Sequence, residues 1–292
     1  MDSAESDLTP SSDHSSERYT LHMFPFSLGS LMVKFTLVLG QKRARAADLP
    51  ELTFHSKLVD LHRDDNIAED FLKNINCCGE VPVLTGGVLP RPIWHAHDIS
   101  AWLCHRFRLQ HTSDSHVPTT MKLLRKLAVI QTLSLSGTSQ QSLVRGDGSR
   151  SCQVVDALLK STYISPGYRE SLEWKKAFDK DTKGSTLSDN NVKAAEDETR
   201  QFFRSLMESF PRLGEGESPW IVAEDTVGSV LDGHTVPFVA RLMEYHRHDL
   251  IPGRVQKYAL RAMASPEWQE TTHGRPTLWN ATLGHVHLSY EL

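Results

Sequence analysis

Apolar and polar positions along this chain follow two different periods, and the change falls near residue 117. Before it the pattern is mixed. Tyr19-Thr20-Leu21-His22-Met23-Phe24 alternates and is rich in strand formers, so it predicts a first strand. After a Pro25–Gly29 loop, Leu31 to Leu39 is a mostly apolar stretch, interrupted by Lys34, that predicts a helix, with Ser30 as its N-cap and Gly40 as its end. A second strand is predicted within Leu52–Leu61 and a short helix over Asn66–Leu72. Pro82–Leu84 predicts a third strand, Gly86-Gly87 a tight turn, Pro92-Ile93-Trp94 a short fourth strand and His97–Phe107 a helix. The order is β-α-β-α-β-β-α over residues 19–108, a parallel unit followed by an antiparallel hairpin.

Beyond residue 117 only the helical period remains. Met121, Leu123, Leu124, Leu127, Ile130 and Leu133 recur at helical intervals. Val154–Ile164 and Tyr168–Phe178 read as further helices, and Val192, Ala195, Thr199, Phe202, Phe203, Leu206 and Phe210 form the stripe of a long one. Polar stretches at 137–151 and 181–189 read as loops. Ser229 with Asp232 three residues on is a capping box, opening a helix that buries Leu231, Val236, Phe238, Val239 and Leu242. The prediction is an α/β unit at 19–108 and an all-α unit at 117–272, flanked by a disordered tail at 1–18 and an irregular tail at 273–292.

Composition narrows the chemistry. A hydrophobic fraction of 39% supports real cores, and a net charge of -4 leaves no basic footprint for nucleic acid. Four cysteines in 292 residues are too few for a disulfide scaffold, and neither they nor the 15 scattered histidines show metal-ligand spacing. His246 and His248 are two apart and do not share a helix face. The longest apolar run is too short for a membrane span, and no basic segment opens the chain as a leader would, so a cytoplasmic protein without a metal is expected.

The segment Asn76-Cys77-Cys78-Gly79-Glu80-Val81-Pro82-Val83-Leu84 carries the strongest functional signal. An X-Pro bond is the common place for a cis peptide. A cis Val81-Pro82 would turn the Val81 backbone N–H and C=O out of the sheet, where a peptide could add as a short strand. This wording resembles the glutathione S-transferase family, and so does Ser27-Leu28-Gly29-Ser30 between the first strand and the first helix. The Ser229–Asp232 box is similar to one in that family's helical domain, with the nearby glycine replaced by Asp225.

The resemblance implies a thioredoxin-like N-terminal unit that binds glutathione as co-substrate along Val81 and Pro82, with Ser27 as the catalytic residue. A hydroxyl beside a helix N-terminus stabilises a thiolate and lowers its pKa. The alternative for Ser27 is a turn serine with a local hydrogen bond. Cys77 and Cys78 read as incidental loop thiols. The main departure falls at His95-Ala96, where the family usually places an acid–hydroxyl pair that grips the γ-glutamyl end.

The implied activity is conjugation of glutathione to a small hydrophobic electrophile, or isomerisation of it, by a homodimer. The altered pair and the polar insertions resemble fungal glutathione S-transferase-like proteins of secondary-metabolite pathways, where the acceptor is an aromatic or polyketide intermediate. A non-catalytic protein-interaction scaffold of the same fold is the rival reading.

Overall fold

The structure is a computed structural model that describes residues 17–49, 52–109, 117–136, 152–183, 188–222 and 227–286. The tail before residue 17, the polar segment 137–151 and Asp225 lie outside the described residues.

Four strands form one mixed sheet in the order β2-β1-β3-β4. They are β1 (Arg18–Met23), β2 (Thr53–Leu58), β3 (Val83–Gly86) and β4 (Ile93–Trp94). β1 pairs parallel with β2 and antiparallel with β3, and β3 pairs antiparallel with β4. The crossover between β1 and β2 is helix α1 (Leu28–Ala46); α2 (Ala96–Phe107) follows β4. The four strands in chain order, the parallel β1–β2 unit and the antiparallel β3–β4 hairpin are those the hydrophobic pattern predicts.

Two local expectations are corrected. α1 does not stop at Gly40. Residues 41–46 are good helix formers, and Arg43 and Arg45 in the last turn complement the helix dipole, so the helix runs on to Ala46. Gly40 serves packing instead, because a Cβ there would lie 2.3 Å from the Phe107 ring of α2. The short helix after β2 is broken into a 3-10 turn at Asp65–Ile67 and a single π turn at Phe71–Ile75. Ala68, in extended backbone, interrupts it.

The helical half comprises α3 (Val117–Ala128), α4 (152–160), α5 (Pro166–Lys183), α6 (Asp189–Ser209), α7 (Val230–Glu244), α8 (Gly253–Met263) and α9 (Pro266–Thr272). The predicted stripe of α6 is the buried one, from Ala195 to Leu206. α7 is the central helix, buried from Val230 to Leu242. The capping box is present: Ser229 Oγ accepts from the Asp232 N–H at 3.4 Å, and the Ser229 N–H donates to Asp232 Oδ2 at 2.8 Å. Asp232 also accepts from the Ile221 N–H and from the Tyr258 hydroxyl, each at 2.8 Å. Burial raises the pKa of this carboxyl, and those hydrogen bonds oppose the rise.

The two halves meet where α1 crosses α7. A Cβ on Gly233 would stand 2.2 Å from Thr36 Oγ1, so glycine is what allows the helices to touch. One continuous apolar core runs from Tyr19 and Phe35 through Phe107 to Phe202, Phe238 and Tyr258. Among the described residues no helix is long and apolar enough to cross a membrane.

Candidate functional site

Three chain segments converge beside the start of α1. β1 ends at Met23, and the Ser27 N–H closes a turn onto the Phe24 carbonyl at 2.9 Å. Ser27, not Ser30, is the N-cap of α1: its Oγ accepts from the Ser30 N–H at 3.4 Å. Ser30 is fully buried, and its hydroxyl accepts from the Phe24 N–H at 3.3 Å. The helix therefore starts one turn earlier than the apolar run alone indicates. Capping uses a lone pair of Ser27 and leaves its O–H free to donate, at a helix end that favours negative charge. Ser27 as a residue is half-buried.

The second segment is Val81-Pro82, whose peptide bond is cis. Sheet pairing of β3 begins at Val83, and the Val81 N–H and C=O make no hydrogen bond among the described residues. The third segment is His95-Ala96 at the head of α2. His95 is exposed and holds φ 74, ψ 128, a region rarely taken by residues with a side chain. Strained backbone of this kind collects at ligand sites. Gly29 binds the three together: a Cβ there would lie 3.2 Å from Pro82 Cδ and 3.4 Å from Ala96 Cβ.

The turn leading to Val81 is braced by Asn66, which the sequence pattern did not single out, and by Asn76, which opens the segment carrying the resemblance. Asn66 Nδ2 donates to the Gly79 carbonyl at 2.8 Å, and Asn76 Nδ2 donates to the Glu80 carbonyl at 2.9 Å. Asn76 also accepts from the Cys78 N–H at 3.0 Å. Gly79, at φ 60, has the stem of buried Lys175 against it. The only signal for these braces was the polar-rich turn itself. Burial, followed by the neighbouring Cys77, pushes the Cys78 thiol up to about 11, so it is a poor nucleophile. Tyr19 is fully buried, donates to Glu17 at 2.5 Å and stacks on Phe54, which is a structural role. No group of three or more potential metal ligands gathers among the described residues.

The arrangement can receive an extended peptide on the Val81 edge and present its far end to a hydroxyl at a helix N-terminus. Where the resemblance expects an acid and a hydroxyl, the head of α2 offers the imidazole of His95 and the methyl group of Ala96.

No family profile matches the sequence, and no curated protein matches it either. Solved structures do. Glutathione transferase F7 from Populus trichocarpa superposes with a TM-score of 0.55 at 14% identity, over 88% of this chain and 98% of that one. A glutathione transferase from Pseudomonas putida, with glutathione disulfide bound, gives 0.52 at 15% identity over 88% and 91%. Ure2p in complex with glutathione gives 0.54 at 13% identity over 87% and 97%. The chain has the fold of these glutathione transferases, a thioredoxin-like α/β unit followed by an all-helical unit.

Proposed function

We propose that this chain is a glutathione-dependent transferase. Glutathione lies along the Val81-Pro82 edge, its γ-glutamyl end toward His95 and Ala96 and its sulfur at Ser27. The Ser27 O–H and the N-terminus of α1 hold the sulfur as a thiolate. That thiolate attacks a hydrophobic electrophile, either displacing a leaving group or adding across an activated double bond whose carbanion then takes a proton from water, and in isomerisation it adds and is expelled again. The observation that carries this reading is the convergence of Ser27, the unpaired Val81 backbone and Ala96 around Gly29. The aromatic or polyketide acceptor and the homodimer are supported by the sequence resemblance alone, and the cytoplasmic setting by the hydropathy pattern alone.

One observation favours the scaffold reading: the His95-Ala96 pair lacks the usual γ-glutamyl grip. Calorimetric titration with glutathione, followed by turnover of a generic aromatic electrophile, decides between the two. Binding with turnover supports the transferase. Absence of glutathione binding at millimolar concentration overturns it in favour of the scaffold.

A further inference from the structure

The segment from Thr277 to Val286 does not trail away from the molecule. It lies against the turn that carries Ser27. Val286 packs into one apolar cluster with Phe24 and Phe26, and Trp279, Leu283 and Val81 pack against that cluster. A chain of aromatic rings runs from the segment to the turn: Trp279 to His62 at 4.5 Å, His62 to Phe24 at 5.0 Å, Phe24 to Phe26 at 5.8 Å. The last of these residues precedes Ser27 directly.

Two residues of α7 fasten the segment. Thr277 is buried, and every polar group it has is engaged. Its N–H donates to Glu244 at 2.7 Å, its hydroxyl donates to Glu244 at 2.8 Å, and that hydroxyl accepts from Arg241 Nε at 3.0 Å. Its carbonyl accepts from Arg241 Nη2 at 2.6 Å. The same Nη2 donates to the Phe26 carbonyl at 2.9 Å. That carbonyl belongs to the peptide whose N–H is that of Ser27. The peptide plane is therefore held at both ends, by Arg241 at its oxygen and by the Phe24 carbonyl at its N–H. Arg241 is buried, so a rigid guanidinium fork with fixed partners leaves little room for the plane to turn.

We infer that Arg241 is a positioning residue for Ser27, and that residues 277–286 form a strap closing the apolar end of the site, so that seating the strap and placing the Ser27 hydroxyl are one event. This rests on the proposed glutathione reading for its functional meaning. The coupling itself is a property of the free protein. An apolar electrophile would approach the thiolate against Trp279 and Leu283, which makes the strap a selector of acceptors.

The test compares the unmodified protein with Arg241→Lys, Thr277→Val and a chain ending at Pro276. Amide hydrogen exchange is read at 24–28 and at 277–286, with the β1 and β3 amides as reference. Arg241→Lys and Thr277→Val should speed exchange in both segments together, by about tenfold or more, the scale of losing a buried hydrogen bond. The shortened chain should speed it at 24–28, with the sheet unchanged in all three. The thiol pKa of bound glutathione should rise in each variant, which loss of stability alone would not cause. Loosening of one segment while the other keeps its protection overturns the coupling. An unchanged thiol pKa in a variant whose turn has loosened overturns the positioning role. If the unmodified protein binds no glutathione, the transferase reading fails, while the exchange experiment still decides the coupling.

Discussion

Gly29 and Pro82 lie so close that a methyl group on the glycine would sit 3.2 Å from the proline ring carbon. The first turn of α1 thus rests on the Val81-Pro82 edge, along which glutathione would lie in the proposed function. Gly29→Ala gains helix propensity of up to about 1 kcal/mol and gives some of it back to the contact, so its stability should change little. Gly29→Leu has no such room and should push α1 from the edge. We expect it to abolish glutathione binding by calorimetry while the far-ultraviolet spectrum stays native-like.

Ser27 combines a cap with a candidate donor, and two substitutions separate these functions. Ser27→Ala should lose about 1 kcal/mol of stability and about 10- to 1000-fold in turnover. Ser27→Asp keeps the cap but replaces the donor with a negative charge beside the sulfur. Its melting temperature should stay near that of the unmodified protein while its turnover falls at least as far. Full activity in Ser27→Asp would remove Ser27 from the chemistry.

At the head of α2 the expected effect is a gain. Each hydrogen bond to a charged group contributes about 1.5–3 kcal/mol, or about tenfold or more in dissociation constant. The double variant His95→Glu, Ala96→Ser should therefore bind glutathione more tightly. Weaker binding than in the unmodified chain would show that His95 already serves the γ-glutamyl end.

Asp232 is completely buried and accepts from Ser229, Ile221 and Tyr258. Asp232→Ala leaves those donors unsatisfied, so we expect a loss of about 3 kcal/mol or more in urea unfolding. Tyr258→Phe removes one donor and should cost about 1 kcal/mol.

Acid should weaken the fold through its buried histidines. Burial, and then neighbouring His97, holds His234 down to about 3; burial, and then Lys57, holds His22 down to about 4. Both values lie below the ordinary 6.5 for histidine, so the unfolded chain takes up these protons first. Stability is complete above about 6.5 and falls as pH drops toward 3. His234 alone contributes a loss on the order of 2 kcal/mol by pH 5. Urea unfolding between pH 7 and 5 should show this slope, and His234→Gln should flatten it.

Much of this architecture was legible in the residues. Period-two and period-3.6 patterns located β1 and the long helix α6, because buried positions recur at those intervals along them. The Val81-Pro82 step and the Ser229–Asp232 box were legible because their chemistry is local. Gly40 was misread because an apolar run followed by glycine looks the same whether the glycine ends a helix or makes room for Phe107. Ser30 was misread as the cap because either hydroxyl suits one, and only the turn onto Phe24 decides that Ser27 starts the helix. Arg241, Thr277 and Lys175 gave no signal, since their partners are distant in sequence or depend on how whole helices pack.

The edge that would hold glutathione is braced from outside its own sheet. Lys175 of α5 lies on Gly79, the Tyr168 hydroxyl donates to the Ile67 carbonyl at 2.7 Å, and Leu172 packs with Ile67 and Leu72. The two halves are therefore not interchangeable parts. A graft of residues 19–108 onto another helical partner would bring its strands and lose the buttress behind residues 66–80. Divergence in α5, a helix far from any chemistry in the sequence, can retune what the edge accepts without touching a single residue that lines it.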